Sequence, residues 1–243
     1  MTNYMKNDRF ETVKVDIHSV NELFEMLRAV PLQTSQIYPY ADSEITMTRT
    51  WNVAGSNNIR IDKGQEVLPT QRYILANDIR KLLARNESLY LYDQRTVYDL
   101  VGDSIHKDIG YITVYYKTVG DDTIRSIDII PPIIEQDDAG CCYVCDGHTR
   151  LYMSMYFQKP ITCVLIKNPG APFYAEPIRS TFGGWNTMEL FEDTIPANFV
   201  KKIRRFADSH FYYRDFNAVF NNISGSRGNE STPMVTGPSC RCC

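Results

Sequence analysis

The stretch 141–166 constrains the fold of this chain most, because its pattern predicts a strand, a tight polar turn, a short helix and a second strand. Residues 143–145 form a β-prone run that stops at Asp146-Gly147, a turn dipeptide. Apolar side chains then recur at helical spacing until Pro160 ends the helix, and the apolar run that follows predicts the second strand. The polar residues of this stretch therefore gather where a strand passes into a helix.

A junction of this kind is suited to an anion, since the first backbone N–H groups of the helix are unpaired and face the turn. Gly147 allows a close approach of the backbone, Arg150 offers a planar fork of donors, and His148 can donate, accept or shuttle a proton. Asp146 would repel a bare phosphate, so we expect it to hold His148 or Arg150, to take a proton from a nucleophile, or to ligate Mg²⁺. The simpler interpretation is an Asp-Gly turn with a capping Thr149 and an exposed Arg150, and the pattern alone does not decide between them.

The box Asp-Gly-His-Thr-Arg at residues 146–150 follows an apolar strand and precedes a short helix and a Pro-Ile-x-x-Val-Leu-Ile strand. The run Ile124–Glu135 before it reads as an entry strand and a second, proline-preceded strand. Together these features, over Ile124–Lys167, resemble the ParB/sulfiredoxin superfamily. The resemblance implies an α+β fold in which a small mixed sheet carries a strand-turn-helix-strand core, with N-terminal and C-terminal elaborations.

Members of that superfamily include CTP-using chromosome-partition proteins, nucleases, ATP-dependent sulfinic-acid reductases and kinases of free serine. They largely share a nucleotide or a phosphate held at this turn, so the resemblance implies ATP, ADP or CTP as ligand together with Mg²⁺. It also implies that Gly147, His148, Thr149 and Arg150 contact phosphate, and that Asp146 is catalytic or binds the metal. His148 is also a candidate for acid–base catalysis.

Two details bear on which branch of the superfamily the chain follows. The reductases carry a reactive cysteine where His148 stands here, which argues against that activity although Cys145 lies close by. The serine-kinase branch uses an upstream carboxylate as its base, and Glu135 and Asp128 are the nearest candidates. We take Glu135 as the catalytic candidate, with a plain surface carboxylate as the alternative.

Composition restricts the class of protein further. The 243 residues carry a net charge of −3 and 43% hydrophobic residues, which indicates a folded chain and disfavours one that mainly coats nucleic acid. No segment approaches the roughly 20 apolar residues that cross a bilayer, and the N-terminus lacks the apolar region of a signal peptide. We therefore expect a cytoplasmic protein whose seven cysteines are reduced thiols, buried mainly as small apolar side chains.

We divide the chain into four regions by pattern. They are an N-terminal α/β elaboration (1–107), the ParB/sulfiredoxin-like core (108–170), an aromatic and basic helical region (171–222) and a flexible tail (223–243) that ends in three cysteines. The more specific predictions are these: helices at Ser19–Arg28, at Thr70–Asn86 and after Thr194, strands at Phe10–Val15 and Leu89–Tyr92, and a hairpin of Asp108–Val119 with Ile124–Ile130.

A second distinctive stretch lies in the helical region. Gly183 and Gly184 stand between Phe182 and Trp185, which suggests a ligand approached by the backbone and flanked by aromatic rings. A tight turn held by two core aromatics is the alternative. Arg214, which we expect to pair with Asp215, completes the candidate substrate contacts.

The leading hypothesis is therefore an enzyme that binds a nucleotide phosphate at the box and transfers the phosphoryl group to a small molecule, with Mg²⁺ assisting. One alternative is a ParB-like DNA-binding protein or nuclease, which the acidity and the lack of a clear helix-turn-helix disfavour. Another is a non-catalytic module that senses a nucleotide. A catalytic triad has no support in the sequence, and a zinc site at Cys141, Cys145 and the tail has little.

Overall fold

The structure, a computed structural model, describes residues 17–33, 35–76, 98–105, 110–118, 124–170, 176–192, 194–199 and 214–220. In these ranges the helices are α1 (Val20–Arg28) and α2 (His148–Tyr156). The strands are β1 (Glu44–Asn52), β2 (Ile59–Ile61), β3 (Gln65–Leu68), β4 (Tyr73–Leu75), β5 (Tyr98–Ile105), β6 (Ile112–Thr118), β7 (Arg125–Ile129), β8 (Ile133–Gln136), β9 (Cys142–Asp146), β10 (Thr162–Lys167) and β11 (Glu189–Phe191).

Six strands form a closed barrel in the order β1-β10-β8-β9-β3-β2. The pairs β10–β8 and β3–β9 are parallel and the other four are antiparallel, so the sheet is mixed, as the sequence predicts. Strands β1 to β3 come from the predicted N-terminal elaboration, and the other three come from the predicted core. The division into four regions stays a prediction, but its first two members share one sheet.

The barrel strands β9 and β10 are buried on both faces, which explains why they read as largely apolar runs, whereas β1 also has exposed residues. In β10, Cys163 and Leu165 belong to one core cluster, with Leu151 of α2. Val164 and Ile166, which alternate with them, belong to a second cluster under α1 and residues 216–220. In β9, Cys142 and Val144 belong to the first cluster and Cys145 belongs to the second. The end of β9 at the box therefore packs against both clusters.

The N-terminal helix follows its sequence signals closely. Ser19 caps α1, and its Oγ accepts a hydrogen bond from the N–H of Glu22 at 3.0 Å. Leu23 and Leu27 are fully buried on the face that meets the second core cluster. The prediction of a helix over Ser19–Arg28 is therefore confirmed.

The helix predicted from Thr70 is wrong over its first part. Residues Tyr73–Leu75 form β4, which pairs in parallel with β11, a strand more than 100 residues later in the chain. Ile74 is 1% exposed in that pairing. A partner so distant cannot be read from local periodicity, because tertiary pairing overrides a helical pattern of apolar residues. Residues 77–86 of the prediction lie outside the described residues.

The hairpin and the strand-turn-helix-strand core are confirmed. Strands β6 and β7 pair antiparallel with Ile112 opposite Ile129, and with β5 they form a separate three-stranded sheet in which β7 is an edge. Pro131 and Pro132 separate β7 from β8, as prolines that interrupt a ladder should. The predicted strands at 10–15 and 89–92, residues 200–206 of the helix predicted after Thr194 and the tail 223–243 lie outside the described residues. Residues 194–199 are described, and they form a turn rather than the start of that helix.

Two further sequence expectations can be compared with the described residues. Cys141, Cys142, Cys145 and Cys163 are thiols rather than half-cystines, and the last three are buried in strands. Across the described ranges, no helix is both long enough and apolar enough to cross a membrane.

Candidate phosphate-binding site

The turn between β9 and α2 has an unusual backbone that only glycine adopts easily. Gly147 has φ +91°, in the left-handed region, and it precedes the first residue of α2. A Cβ atom at this position would lie 2.9 Å from Nη2 of Arg150 and 2.9 Å from Cα and Cβ of Pro132. Gly147 is the N-cap residue of α2, and because glycine has no side chain it does not cap the first N–H groups of the helix. The start of this helix thus keeps the character of an anion site.

The two charged residues of the box are paired with each other inside the protein. Nη2 of Arg150 lies 2.5 Å from Oδ2 of Asp146, and both residues are buried. Nη1 of Arg150 donates a hydrogen bond to the carbonyl oxygen of Ile130, the residue that follows β7. The expectation that Asp146 holds Arg150 is confirmed, and the alternative of an exposed Arg150 is wrong. The pair braces the turn against the segment that joins β7 to β8.

His148 also points into the protein. The residue is 4% exposed, and the centroid of its ring lies 6.4 Å from that of Trp185. Nε2 of His148 accepts a hydrogen bond of 3.1 Å from the backbone N–H of Thr70, a residue just after β3. Sequence reasoning missed Thr70, because nothing local links two residues 78 positions apart.

The accessible part of the box is therefore smaller than the sequence suggests. Gly147 and Thr149 are partly exposed, whereas Asp146, His148 and Arg150 are buried. Of the predicted phosphate contacts, Gly147 and Thr149 are the partly exposed residues. The roles of His148 and Arg150 as phosphate contacts stay predictions. Both side chains already have partners in the protein, Thr70 for His148 and Asp146 for Arg150.

The donor set fits a protein-bound Mg²⁺ poorly. Mg²⁺ takes six oxygen ligands, while the carboxylate of Asp146 already neutralises a guanidinium at 2.5 Å. In the part of the chain that the structure describes, no three His, Cys, Asp or Glu side chains are grouped as metal ligands would be. Asp146 alone would leave most of the coordination shell to other molecules.

The predicted catalytic Glu135 lies in a different environment, a buried polar cluster in the second core. Oε1 of Glu135 is 2.8 Å from Nε of Arg214, and Oε2 is 3.3 Å from its Nη2. Tyr40 donates to Oε1, Tyr143 donates to Oε2 at 2.7 Å, and the thiol of Cys145 donates to Oε1 at 3.2 Å. We name these five residues the Glu135 cluster.

The two charged residues of the Glu135 cluster form an ion pair in the protein interior. Glu135 is 1% exposed and Arg214 0% exposed. Burial alone would lower the pKa of Arg214, but the adjacent Glu135 carboxylate outweighs that effect and raises the pKa above its ordinary value. The structure thus joins two predicted site residues to each other and not to the box. Arg214 pairs with Glu135, and the predicted pairing of Arg214 with Asp215 is wrong because Asp215 instead accepts a hydrogen bond from Ala218.

The glycine-aromatic stretch is a turn, as the simpler interpretation predicts, but only one of its two aromatic rings lies in the core. Trp185 is 2% exposed, and its Nε1 donates a hydrogen bond of 2.7 Å to the carbonyl oxygen of Val67. Phe182 is 65% exposed. Gly183 and Gly184 both have positive φ and turn the chain between the two rings. Trp185 therefore packs against the box through its ring contact with His148. A substrate role for this stretch stays a prediction.

We predict that Gly147→Ala destabilises the protein by about 2–4 kcal/mol, because it adds left-handed strain to a clash with Pro132 and Arg150. Gly140→Ala is the matched control. Gly140 also has a positive φ, of +78°, but its Cβ would meet no atom within 4 Å. Urea denaturation should show a loss for Gly140→Ala at least 1 kcal/mol smaller. Equal losses would mean that the close contacts at Gly147 relax freely.

We predict that stability falls with pH above about 9. Burial raises the pKa of Cys142 from 9.0 to about 12, and burial also raises the pKa of Cys163. The folded chain then keeps protons that the unfolded chain loses, so the free energy of unfolding is constant below the unfolded pKa and falls above it. Each such group contributes roughly 1.4 kcal/mol per pH unit.

The test is the pH dependence of urea midpoints for Cys163→Ala between pH 7 and 11. Above pH 9, the free energy of unfolding of Cys163→Ala should fall less steeply with pH than that of the wild type. The difference should be the contribution of one titrating thiol, roughly 1.4 kcal/mol per pH unit. Val164→Ala, a neighbouring buried apolar residue, should lower stability without changing that slope. An unchanged slope in Cys163→Ala would show that this thiol does not carry the effect.

Comparison with known proteins bears on the family. Residues 22–189 match the model of the ParB CE domain, so the match extends well beyond the segment 124–167 that carries the resemblance in the sequence. No curated protein and no solved structure matches the chain. The family match covers more than two thirds of the 243 residues and includes the barrel, α2 and all of α1 except its first two residues. The chain belongs to the ParB CE domain family.

Proposed function

We propose that the protein binds a nucleotide through its phosphates at the start of α2. The observation that carries the proposal is the turn itself, where Gly147 has positive φ and, as the N-cap residue, places no side chain over the first N–H groups of the helix. Helix starts of this kind stabilise anions by their backbone N–H groups and by the helix dipole. The turn occupies this position in a chain of the ParB CE family, which supports the same proposal.

Each box residue then has a distinct part in the proposed site. The backbone N–H groups at the start of α2 and the hydroxyl of Thr149 contact phosphate oxygens. The pair of Asp146 and Arg150 holds the turn in shape, since both of its charged groups face the interior. The pair is neutral overall, so the site attracts phosphate through oriented dipoles more than through a free cation.

For the chemistry we propose phosphoryl transfer to a small molecule, as in the serine-kinase branch that the box resembles. Phosphoryl transfer depends mainly on positioning and on neutralisation of charge. Mg²⁺ would be held by the nucleotide phosphates and water, because Asp146 fits a metal poorly. Glu135 gains no support as the base from its place in the Glu135 cluster, where its carboxylate is already paired with Arg214 and Tyr143.

Membership of the ParB CE family favours one second candidate, a DNA-handling protein. The net charge of −3 disfavours this candidate. The assays described next distinguish the DNA-handling function from phosphoryl transfer.

The experiment is a thermal-shift screen of ATP, ADP and CTP, each with and without Mg²⁺, on the wild type and on Thr149→Val. One nucleotide should raise the melting temperature of the wild type by several degrees, and the shift should be smaller in Thr149→Val. Two activity assays follow the screen. Transfer of phosphate from the bound nucleotide to free serine or another hydroxyl compound supports the kinase form. Nicking of a plasmid supports the DNA-handling form, and no shift with any nucleotide contradicts the proposed site.

A further inference from the structure

The contact between Thr70 and His148 joins the loop after β3 to the first residue of α2. The backbone N–H of Thr70 points at Nε2 of His148 over 3.1 Å. The hydroxyl of Thr70 lies 3.1 Å from the same nitrogen and 2.9 Å from the carbonyl oxygen of Val144, and its single proton rotates to one of these two acceptors at a time. Thr70 is 2% exposed and His148 is 4% exposed, so water does not compete for these groups.

This geometry restricts the protonation state of His148. A backbone N–H can only donate, so the ring nitrogen that it faces must carry a lone pair. A neutral imidazole without a proton on Nε2 carries it on Nδ1. We infer that Thr70 is a positioning residue that holds His148 as the neutral tautomer protonated on Nδ1.

Thr70 can do this because its amide is held from several sides. Its hydroxyl ties it to Val144 in β9, the strand that ends at the turn. The carbonyl oxygen of the preceding Pro69 accepts a hydrogen bond of 2.8 Å from the N–H of Ile178. Trp185, anchored to Val67, packs against the ring of His148. The loop therefore presents its N–H in a fixed direction.

The tautomer defines what His148 contributes to the site. Its role in phosphate binding rests on the proposed function, and there His148 serves as a fixed hydrogen-bond donor through Nδ1. Acceptance of a proton at Nε2 would place two donors face to face, so His148 is not a general base through that nitrogen.

The experiment reads the tautomer directly by nitrogen-15 NMR of the imidazole rings, with His148→Gln used only to assign the signal. The wild type should show the tautomer protonated on Nδ1. Thr70→Val removes the hydroxyl that anchors the amide and should give a mixture of tautomers, whereas Thr70→Ser should restore the wild-type spectrum. A wild-type ring that is protonated on Nε2, or that is doubly protonated at neutral pH, would overturn the inference even if Thr70→Val does not fold.

Binding of ATP by the same variants keeps this inference separate from the proposed function. Thr70→Val should weaken ATP binding by about fivefold, the equivalent of one hydrogen bond, and Thr70→Ser should bind as the wild type does. If the wild type binds no nucleotide while the NMR signals are as expected, the proposed function fails and the tautomer assignment stands. Equal tautomers in Thr70→Val and the wild type would overturn the role of Thr70.

Discussion

Arg214→Met should destabilise the protein by about 3–5 kcal/mol, the loss expected when one partner of a buried ion pair is removed. The carboxylate of Glu135 would stay in the second core, 1% exposed, with hydroxyl and thiol donors but no cation. For a chain of this size, a loss of this magnitude lowers the melting temperature by roughly 6–20 °C. Calorimetry and urea denaturation both measure it.

A second substitution distinguishes a buried charge from lost packing. In the double variant Glu135→Gln with Arg214→Met, the amide oxygen still accepts from Tyr40 or Tyr143 and no charge is buried. The double variant should recover at least half of the loss. Arg179→Met, at an exposed arginine, should stay within about 0.5 kcal/mol of the wild type. If the double variant is as unstable as Arg214→Met, the loss comes from packing against Tyr40 and not from an isolated charge.

The Glu135 cluster shows what local sequence patterns leave out. Glu135 and Arg214 are 79 residues apart, and Tyr40 is 95 residues before Glu135. Each is an ordinary polar residue in its own segment, so only the tertiary fold brings them together, with Tyr40 and Arg214 lying outside the barrel strands. By contrast, α1 and the unit β9-α2-β10 were predicted because caps, turn dipeptides and apolar periodicity act within a few residues.

The box illustrates the same limit at the candidate site. The sequence identifies residues 146–150 as a polar turn but not the directions of their side chains. Asp146 and Arg150 are four residues apart across the start of α2, a spacing that allows them to pair with each other. The carbonyl oxygen of Ile130 then draws the guanidinium inward. Their pairing, rather than a ligand, therefore explains why both are buried.

Arg150→Met should also destabilise the protein by about 3–5 kcal/mol, because the buried carboxylate of Asp146 loses the cation beside it. Arg150→Lys should lose less, about 1–2 kcal/mol, since a lysine keeps the charge but cannot hold Asp146 and Ile130 together with a planar fork. Urea denaturation measures both losses. An Arg150→Met variant as stable as the wild type would show that the pair contributes nothing to the turn.

The double variant Asp146→Asn with Arg150→Met decides whether Arg150 braces the turn or contacts phosphate, for whichever nucleotide binds the wild type. It buries no isolated charge, so it should regain most of the stability that Arg150→Met loses. If Arg150 is a brace, the refolded turn should bind the nucleotide within about threefold of the wild type, because the backbone N–H groups of α2 are unchanged. If stability returns while affinity falls by tenfold or more, the guanidinium contacts the ligand directly, since a charge-assisted hydrogen bond contributes about 1.5–3 kcal/mol. The brace would then be its secondary role, and the buried pair would have to open when the nucleotide enters.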